Sequence, residues 1–328
     1  MAETGQKMTI SIAMATYNGA RFLQAQLDSF SAQTRLPDEL VVCDDGSKDA
    51  TLEILETFAA SAPFAVRVIR NPENLGFKRN FEKAISLCEG DIIFISDQDD
   101  VWLSSKLQVV EQVFRDDPRV MTTINDMIIT DAELNHSNKT LLGAIRVSGS
   151  NENRLVAGCA AAVRRSFLPV VLPIPSEYLG HDGWISDLSV SLGVRKLIDQ
   201  PLQLYRRHGA NESQWVFYDP NGITLLSVLA ETGFSSPLES WERSLVRIRA
   251  QKDRVIASHD CLDELELSDA SDFARKYLEA EQDRFSTRIH LLSLPRWRRW
   301  VSVIGFWARG GYRRFAGWKS AVKDMIRP

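Results

Sequence analysis

Four apolar runs in the first hundred residues each empty into a short polar loop. Residues 8–15 form the first and end at Thr16-Tyr17-Asn18-Gly19. Phe22, Leu23, Gln26, Leu27 and Phe30 then recur at helical spacing, and Pro37 marks the connection that follows. The second run, residues 39–43, enters Asp44-Asp45-Gly46-Ser47-Lys48-Asp49, with a helix from Thr51. The third, residues 65–69, ends at Arg70-Asn71-Pro72, and Asn74-Leu75-Gly76-Phe77-Lys78-Arg79-Asn80 leads into a helix. The fourth begins at Ile92 and enters Ser96-Asp97-Gln98-Asp99-Asp100. Strand, polar loop and helix in repetition predict an α/β fold with a parallel sheet, which binds ligands beyond the strands' carboxyl ends. All four loops are therefore expected at one crevice.

Beyond residue 100 the pattern loosens. Trp102 and the stripe Lys106, Leu107, Val110, Val113, Phe114 read as a helix stopped by Asp116-Asp117-Pro118. A strand is expected over 120–130. Residues 131–154, polar and carrying Gly143, Gly149 and four asparagines, read as a long loop that could close over substrate. Residues 155–163 read as a small-residue strand in which Gly158 either brings an acceptor close to backbone or marks a bulge. Gly180-His181-Asp182-Gly183-Trp184 then precedes an apolar helix containing Ile185, Leu188, Val190 and Leu192. Residues 236–292 predict two or three amphipathic helices with a break near Ser268-Asp269. Gly305, Gly310 and Gly311 divide the remainder into two short helices.

The fourth loop carries the sharpest chemistry. Asp97, Asp99 and Asp100 are three carboxylates within four positions. Such groups repel one another unless a cation neutralises them. Oxygen-rich clusters suit hard ions such as Mg²⁺ or Mn²⁺, which share protein carboxylates with a substrate's phosphates. An acidic loop with no ligand is the bland alternative, and the three other polar loops weigh against it.

Thr16-Tyr17-Asn18, Asp44-Asp45-Gly46-Ser47-x-Asp49-x-Thr51, Asn74-x-Gly76 and Asp97-x-Asp99 together resemble the nucleotide-sugar-binding half of the family 2 glycosyltransferases. The resemblance is close over residues 8–110, looser to about 215, and says least about the C-terminal third. It implies a GT-A fold with a mixed, mostly parallel sheet and an inverting, metal-dependent transfer from a nucleotide-diphosphate sugar. It implies that Asp45 binds the base, with Thr16, Tyr17 and Asn18 near the nucleoside and Asn74 and Arg79 among the donor-binding residues. Asp97 and Asp99 would hold the nucleotide and its Mg²⁺ or Mn²⁺, Asp99 as the direct ligand. The family commonly has Glu-Asp where His181-Asp182 stands here, which makes Asp182 the implied general base and leaves His181 to orient it or touch the acceptor. Read alone, Asp182 would also serve as an N-cap. Tyr205-Arg206-Arg207-His208 resembles the family's Tyr-Arg-x-His stretch and implies a diphosphate or metal role for Arg206 and His208.

The Gln-x-x-Arg-Trp motif of processive synthases is absent, which implies addition of single sugars. The narrower likeness is to rhamnosyltransferase-like bacterial enzymes of surface polysaccharide, with a glycan or lipid-linked glycan as acceptor. A nucleotidyltransferase making nucleotide sugars would want a Gly-rich basic loop after the first strand, which Thr16-Tyr17-Asn18-Gly19-Ala20 is not. An inactive sugar-nucleotide-binding protein would be expected to lose the carboxylates kept here.

A length of 328 residues suits a GT-A catalytic domain over 1–220 (donor half about 8–110, acceptor half about 111–220) and a helical appendage over 221–328. Cys43, Cys88, Cys159 and Cys261 lack C-x-x-C spacing, so buried thiols are expected in place of zinc, in a reducing cytoplasm. The polar start up to Met8 is unlike a secretory leader, and no apolar run approaches bilayer length. The chain's formal charge is −4, yet after residue 294 nine Arg or Lys face one acid, a local +8, beside four of the eight tryptophans. Such a mixture suits an anionic membrane surface and not nucleic acid, which predicts a bacterial cytoplasmic protein peripheral on the inner membrane face. The alternative is a helical pair that packs these aromatics inward.

Overall fold

The structure, a computed structural model, describes residues 7–209, 238–313 and 317–326. They divide into two compact units, one within Met1–Ser213 and Ser258–Ser271, the other within Gln214–Ala257 and Asp272–Pro328. The expected boundary near residue 220 lies outside the described residues.

The first unit is built on nine strands: β1 (Ile10–Thr16), β2 (Glu39–Asp44), β3 (Ala65–Arg70), β4 (Ile92–Ser96), β5 (Val101–Trp102), β6 (Thr122–Thr130), β7 (His136–Thr140), β8 (Ala161–Arg164) and β9 (Arg195–Arg206). Their order is β3-β2-β1-β4-β8-β6-β9-β5, with β7 added to β6. The first four are wholly parallel, joined by helices α1 (Ala20–Ser31), α2 (Thr51–Ser61) and α3 (Phe77–Ser86). Register aligns Thr16 with Asp44 and Asp44 with Arg70, so these strands end level and their loops leave from one edge. Every residue of β4 is fully buried, which is why it reads as an unbroken apolar run. Ile12, Met14, Leu40, Val42 and Phe94 pack with Leu23, Leu27, Phe30 and Leu55 in one core.

The second half of the sheet turns mixed. β8 pairs antiparallel with β4 and β6, whereas β9 runs parallel to β6 and antiparallel to β5. Three expectations change here. Trp102 lies in β5, not in a helix, because its indole sits between Phe30 and Phe94, with ring centroids 4.7 and 5.8 Å away; α4 (Lys106–Asp116) starts four residues later.

Residues 131–154 are not an open loop. They contain β7, a short helix α5 (Leu141–Val147) and a 3₁₀ turn at Glu152–Arg154. Thr140 caps α5 by accepting from Gly143 N–H at 3.1 Å, and Arg146 fastens it to Asp199 at 2.8 Å. Only Leu142 and Ile145 are buried on α5, too few to leave a periodic signal. Residues 155–163 are strand only from Ala161; Gly158–Ala160 form a 3₁₀ turn. Helices α6 (Leu168–Val171) and α7 (His181–Ser191) follow.

The second unit contains α8 (Leu238–Ala257) and most of α10 (Ser268–Ser293), then α11 (Arg296–Ala308) and α12 (Trp318–Ile326); α9 (His259–Glu264) belongs to the first unit. Gly305 lies inside α11, and the break falls after it, at Gly310 and Gly311. A fully buried pair holds this unit: Arg288 donates to both oxygens of Asp324 at 2.8 and 2.9 Å. Tyr312 donates to the same carboxylate at 2.9 Å, and the Arg288 guanidinium lies 4.0 Å over the Trp241 ring. Among the described residues no helix is long and apolar enough to cross a membrane.

Candidate active site

The loops after β1, β2 and β3 are sewn together by the residues that looked like motifs. Asp44, fully buried, accepts from Thr16 Oγ1 at 2.9 Å and from Ser47 N–H at 2.9 Å. Asn18 adopts a left-handed φ of 47°, donates its N–H to Ser47 Oγ and accepts Lys48 N–H, both at 2.9 Å. Asp45 Oδ1 accepts from Asn71 Nδ2 and Leu75 N–H at 2.8 Å, and its Oδ2 accepts from Gly76 N–H at 2.9 Å. Three of the roughly four acceptor positions of that carboxylate are thus spent on its own loops. Asn74 closes the ring by donating to the Asp45 carbonyl at 3.1 Å.

These loops wall an open cavity of about 560 Å³ lined by Tyr17, Asp45, Gly46, Lys48, Arg70, Asn71 and Asn74 among others. Thr16 lies beneath it as a buried support. Arg79 is not among its lining residues; its guanidinium bonds Glu82 at 2.5 Å and the Ile174 carbonyl at 3.4 Å.

The acidic loop after β4 is joined to this cavity by Gln98, which bonds the Tyr17 backbone. Behind it the carboxylates crowd. Burial pushes Asp97 well above the usual carboxylate range, reinforced by the charges of Asp99, Asp100 and Asp182. Asp100 is pushed up to about 7, first by burial and then by Asp99. Both Asp100 oxygens are committed, one to Gln203 Nε2 at 3.0 Å and one to Arg206 N–H at 3.1 Å. Lys106, fully buried, donates to the Cys159 carbonyl at 3.0 Å and to Gln203 Oε1, and lies 3.9 Å over the Trp102 ring. Burial drops its ammonium to about 7.

Asp99 reaches the opposite wall, where its Oδ2 meets His208 Nε2 at 2.8 Å. The His208 ring rests on Phe22 with centroids 4.5 Å apart. Arg206 shares that ring at 4.7 Å and donates to the carbonyls of Asp99 and Ala132, so it braces the acidic loop from behind.

The donor set suits a divalent cation. Asp97, Asp100 and Cys159 bring ligand atoms within 4.8 Å of one another. Cys159 is held as a thiol, because burial raises it well above its ordinary value, and Asp100 is already bonded on both oxygens. Asp99, the direct ligand that the resemblance implies, is not one of these three, and its Oδ2 lies against His208. Mutual repulsion within a buried acidic cluster is what a doubly charged ion relieves.

Asp182 stands in the first turn of α7, one residue inside the helix, so it is not the N-cap; Gly180 holds that place. Its Oδ1 accepts Gly183 N–H at 2.7 Å. His181 neither bonds Asp182 nor opens to solvent. It is buried, tilted against Phe81 with centroids 4.1 Å apart, and neither ring nitrogen has a partner among the described residues. Burial lowers its pKa, and the ring packs as a neutral group. Gly158 makes room for it: a Cβ there would lie 2.2 Å from His181 Nε2. The glycine admits this ring to the backbone, not an acceptor.

Sequence reading overlooked Lys106, Gln203 and Cys159 as one buried set beneath the acidic loop. Lys106 carried a signal, since it shares the stripe of Val110 and Val113 at positions i, i+4 and i+7. Gln203 carried none, because its partners, Asp100 in the acidic loop and Lys106 at the start of α4, lie about a hundred positions earlier.

The family model for Glycosyl transferase family 2 matches residues 11–171. An uncharacterised glycosyltransferase of Nostoc sp. is 31% identical over 214 residues, 62% of this chain and 66% of that protein. Residues 11–171 of the chain belong to glycosyl transferase family 2. The dTDP-rhamnosyl transferase RfbG of Shigella flexneri is 35% identical over 99 residues, 29% of this chain and 34% of that protein. The chain thus spans just under two thirds of the first relative and about one third of the second. Staphylococcus aureus TarS 1-349, solved in complex with UDP, shares the fold at a TM-score of 0.55 and 16% identity, over 97% of this chain and 80% of that one. The mixed α/β sheet is the GT-A fold that the motifs imply.

Proposed function

We propose that this chain moves one sugar from a nucleotide-diphosphate donor to a hydroxyl of a glycan or lipid-linked glycan, with inversion at the anomeric carbon, in building a bacterial surface polysaccharide. The observation that carries this reading is the Asp97 carboxyl just beyond the end of β4, which the charges of Asp99, Asp100 and Asp182 all reach. The nucleoside would occupy the cavity beside Tyr17 and Asn74, with Asp45 offering its remaining acceptor position to the base. Asp97 and Asp99, with His208 against Asp99, would hold Mg²⁺ or Mn²⁺, which when bound supplies a Lewis acid for the diphosphate oxygens. Asp182 would take the proton of the acceptor hydroxyl as its oxygen bonds to the anomeric carbon. The bond from that carbon to the phosphate oxygen breaks, and the electron pair leaves with the nucleoside diphosphate. Arg206 would keep the acidic loop in place behind the departing phosphates and add positive charge there.

RfbG and TarS name two nucleotides for the first trials, dTDP and UDP. Release of nucleoside diphosphate from dTDP- and UDP-sugars, with Mn²⁺ and with a panel of glycan acceptors, tests the proposal. Acceptor-stimulated release from at least one donor is expected. Absence of donor turnover and of nucleotide binding across both series would overturn it.

A further inference from the structure

We propose that α11 and α12 form a docking face for an anionic lipid surface, an inference independent of the sugar-transfer reading. α11 is apolar on two sides, and among the described residues packing within its unit uses only one. Val303 and Phe306 turn inward with Leu291, Tyr312 and Ala321. Gly311 permits this closure, since a Cβ there would lie 2.2 Å from the Phe306 ring. Trp297, Trp300, Val301, Ile304 and Trp307 recur at i, i+3, i+4, i+7 and i+10 on the other side. Trp297, Trp300 and Trp307 are 70%, 54% and 52% exposed. On α12, Trp318 is 63% exposed, with Val322 and Ile326 exposed at i+4 and i+8. One apolar side of α11 lies in the core of its unit, and the other, carrying the tryptophans, is left for a different apolar partner.

The charge around these rings selects the partner. Arg298, Arg309, Arg313 and Lys323 are exposed, and Arg298 lies 4.6 Å over the Trp297 ring. Asp324, the single acid after residue 294, is fully buried and neutralised by Arg288. Among the described residues the tail therefore presents cations and indoles with no exposed carboxylate side chain. Tryptophans at headgroup depth with cations on lipid phosphates match an interfacial amphipathic surface. The Arg288–Asp324–Tyr312 clasp ties α10, the turn after α11 and α12 to one another, which fixes which side of each helix is left outward.

Sedimentation of the full chain with vesicles tests this. Phosphatidylglycerol-containing vesicles should bind it at low salt, less at high salt, and phosphatidylcholine vesicles should barely bind it. Each of Arg298→Gln, Arg309→Gln and Lys323→Gln should weaken binding about fivefold. Trp297→Ala combined with Trp300→Ala and Trp307→Ala should abolish it; these positions are exposed, so helix content by circular dichroism should be kept. If the triple variant fails to fold, the charge variants still decide. Binding that ignores lipid charge and salt, or no binding by the intact chain, overturns the proposal. So does light scattering that shows a dimer dissociated by the tryptophan variant while the parent ignores vesicles, because the face would then join two copies.

Discussion

Gln98 holds the Tyr17 backbone from both sides: its Oε1 accepts Tyr17 N–H at 3.0 Å and its Nε2 donates to the Tyr17 carbonyl at 3.1 Å. The loop that would cradle a nucleoside and the loop that would hold a metal are thereby one body. Substitution Gln98→Ala removes two hydrogen bonds worth about 1 kcal/mol each. Nucleotide affinity should fall about tenfold, matching ~1.4 kcal/mol, while the thermal midpoint moves little. Calorimetry with an unchanged dissociation constant would show that the two loops hold their places without Gln98.

Asp182→Asn keeps the side chain's shape and can still accept Gly183 N–H, but it cannot take a proton. Transfer should drop at least about 10²-fold, the lower end for loss of a general base. Donor affinity should stay within a factor of two, roughly the scatter of such measurements. Near-normal turnover in this variant would send the search for the base to another acid.

Gly158→Ala sets a methyl against the His181 ring, which is itself wedged on Phe81. Overpacking of this kind costs about 1–3 kcal/mol. Adding His181→Ala should recover a good part of the loss, as expected for residues in contact. Urea unfolding of the two single variants and the double variant measures the coupling, and strict additivity would mean that the ring and the glycine do not meet.

Burial holds the His181 imidazole below its ordinary value near 6.5, with the Asp182 charge opposing more weakly. The unfolded chain takes up a proton that the folded one resists. The contribution of this group is therefore fully favourable above about pH 6.5 and is lost as pH falls below it. His181→Phe keeps a ring against Phe81 and removes the titration. Unfolding free energies at pH 7.5 and pH 5 should fall less steeply in the variant than in the parent. Identical slopes would mean that His181 protonates without cost.

What could be read before folding was whatever lies close along the chain. β4 and its acidic loop are contiguous, so both the buried strand and the carboxylates after it were legible. The first three donor loops were legible for the same reason, each being a polar stretch between a strand and a helix. The floor beneath Asp97 and Asp100 was not, because Lys106, Cys159 and Gln203 meet only once β9 lies beside β5. The polar stretch 131–154 concealed a strand and a helix that bury too few apolar side chains to leave a period. The tail's composition was plain, but which rings turn inward depends on Arg288 meeting Asp324 across 36 positions. Tyr312 and Phe306 pack, while the four tryptophans stay outside; Phe315 lies outside the described residues.

The sugar-transfer account stands most directly on Asp99. Calorimetric titration of UDP or dTDP into the parent and into Asp99→Asn, each with and without Mn²⁺, tests it. The account predicts that Mn²⁺ strengthens nucleotide binding to the parent by at least about tenfold, or ~1.4 kcal/mol, and that Asp99→Asn loses this gain while keeping its fold. Equal affinities with and without Mn²⁺ in the parent, or an undiminished gain in the variant, would contradict it.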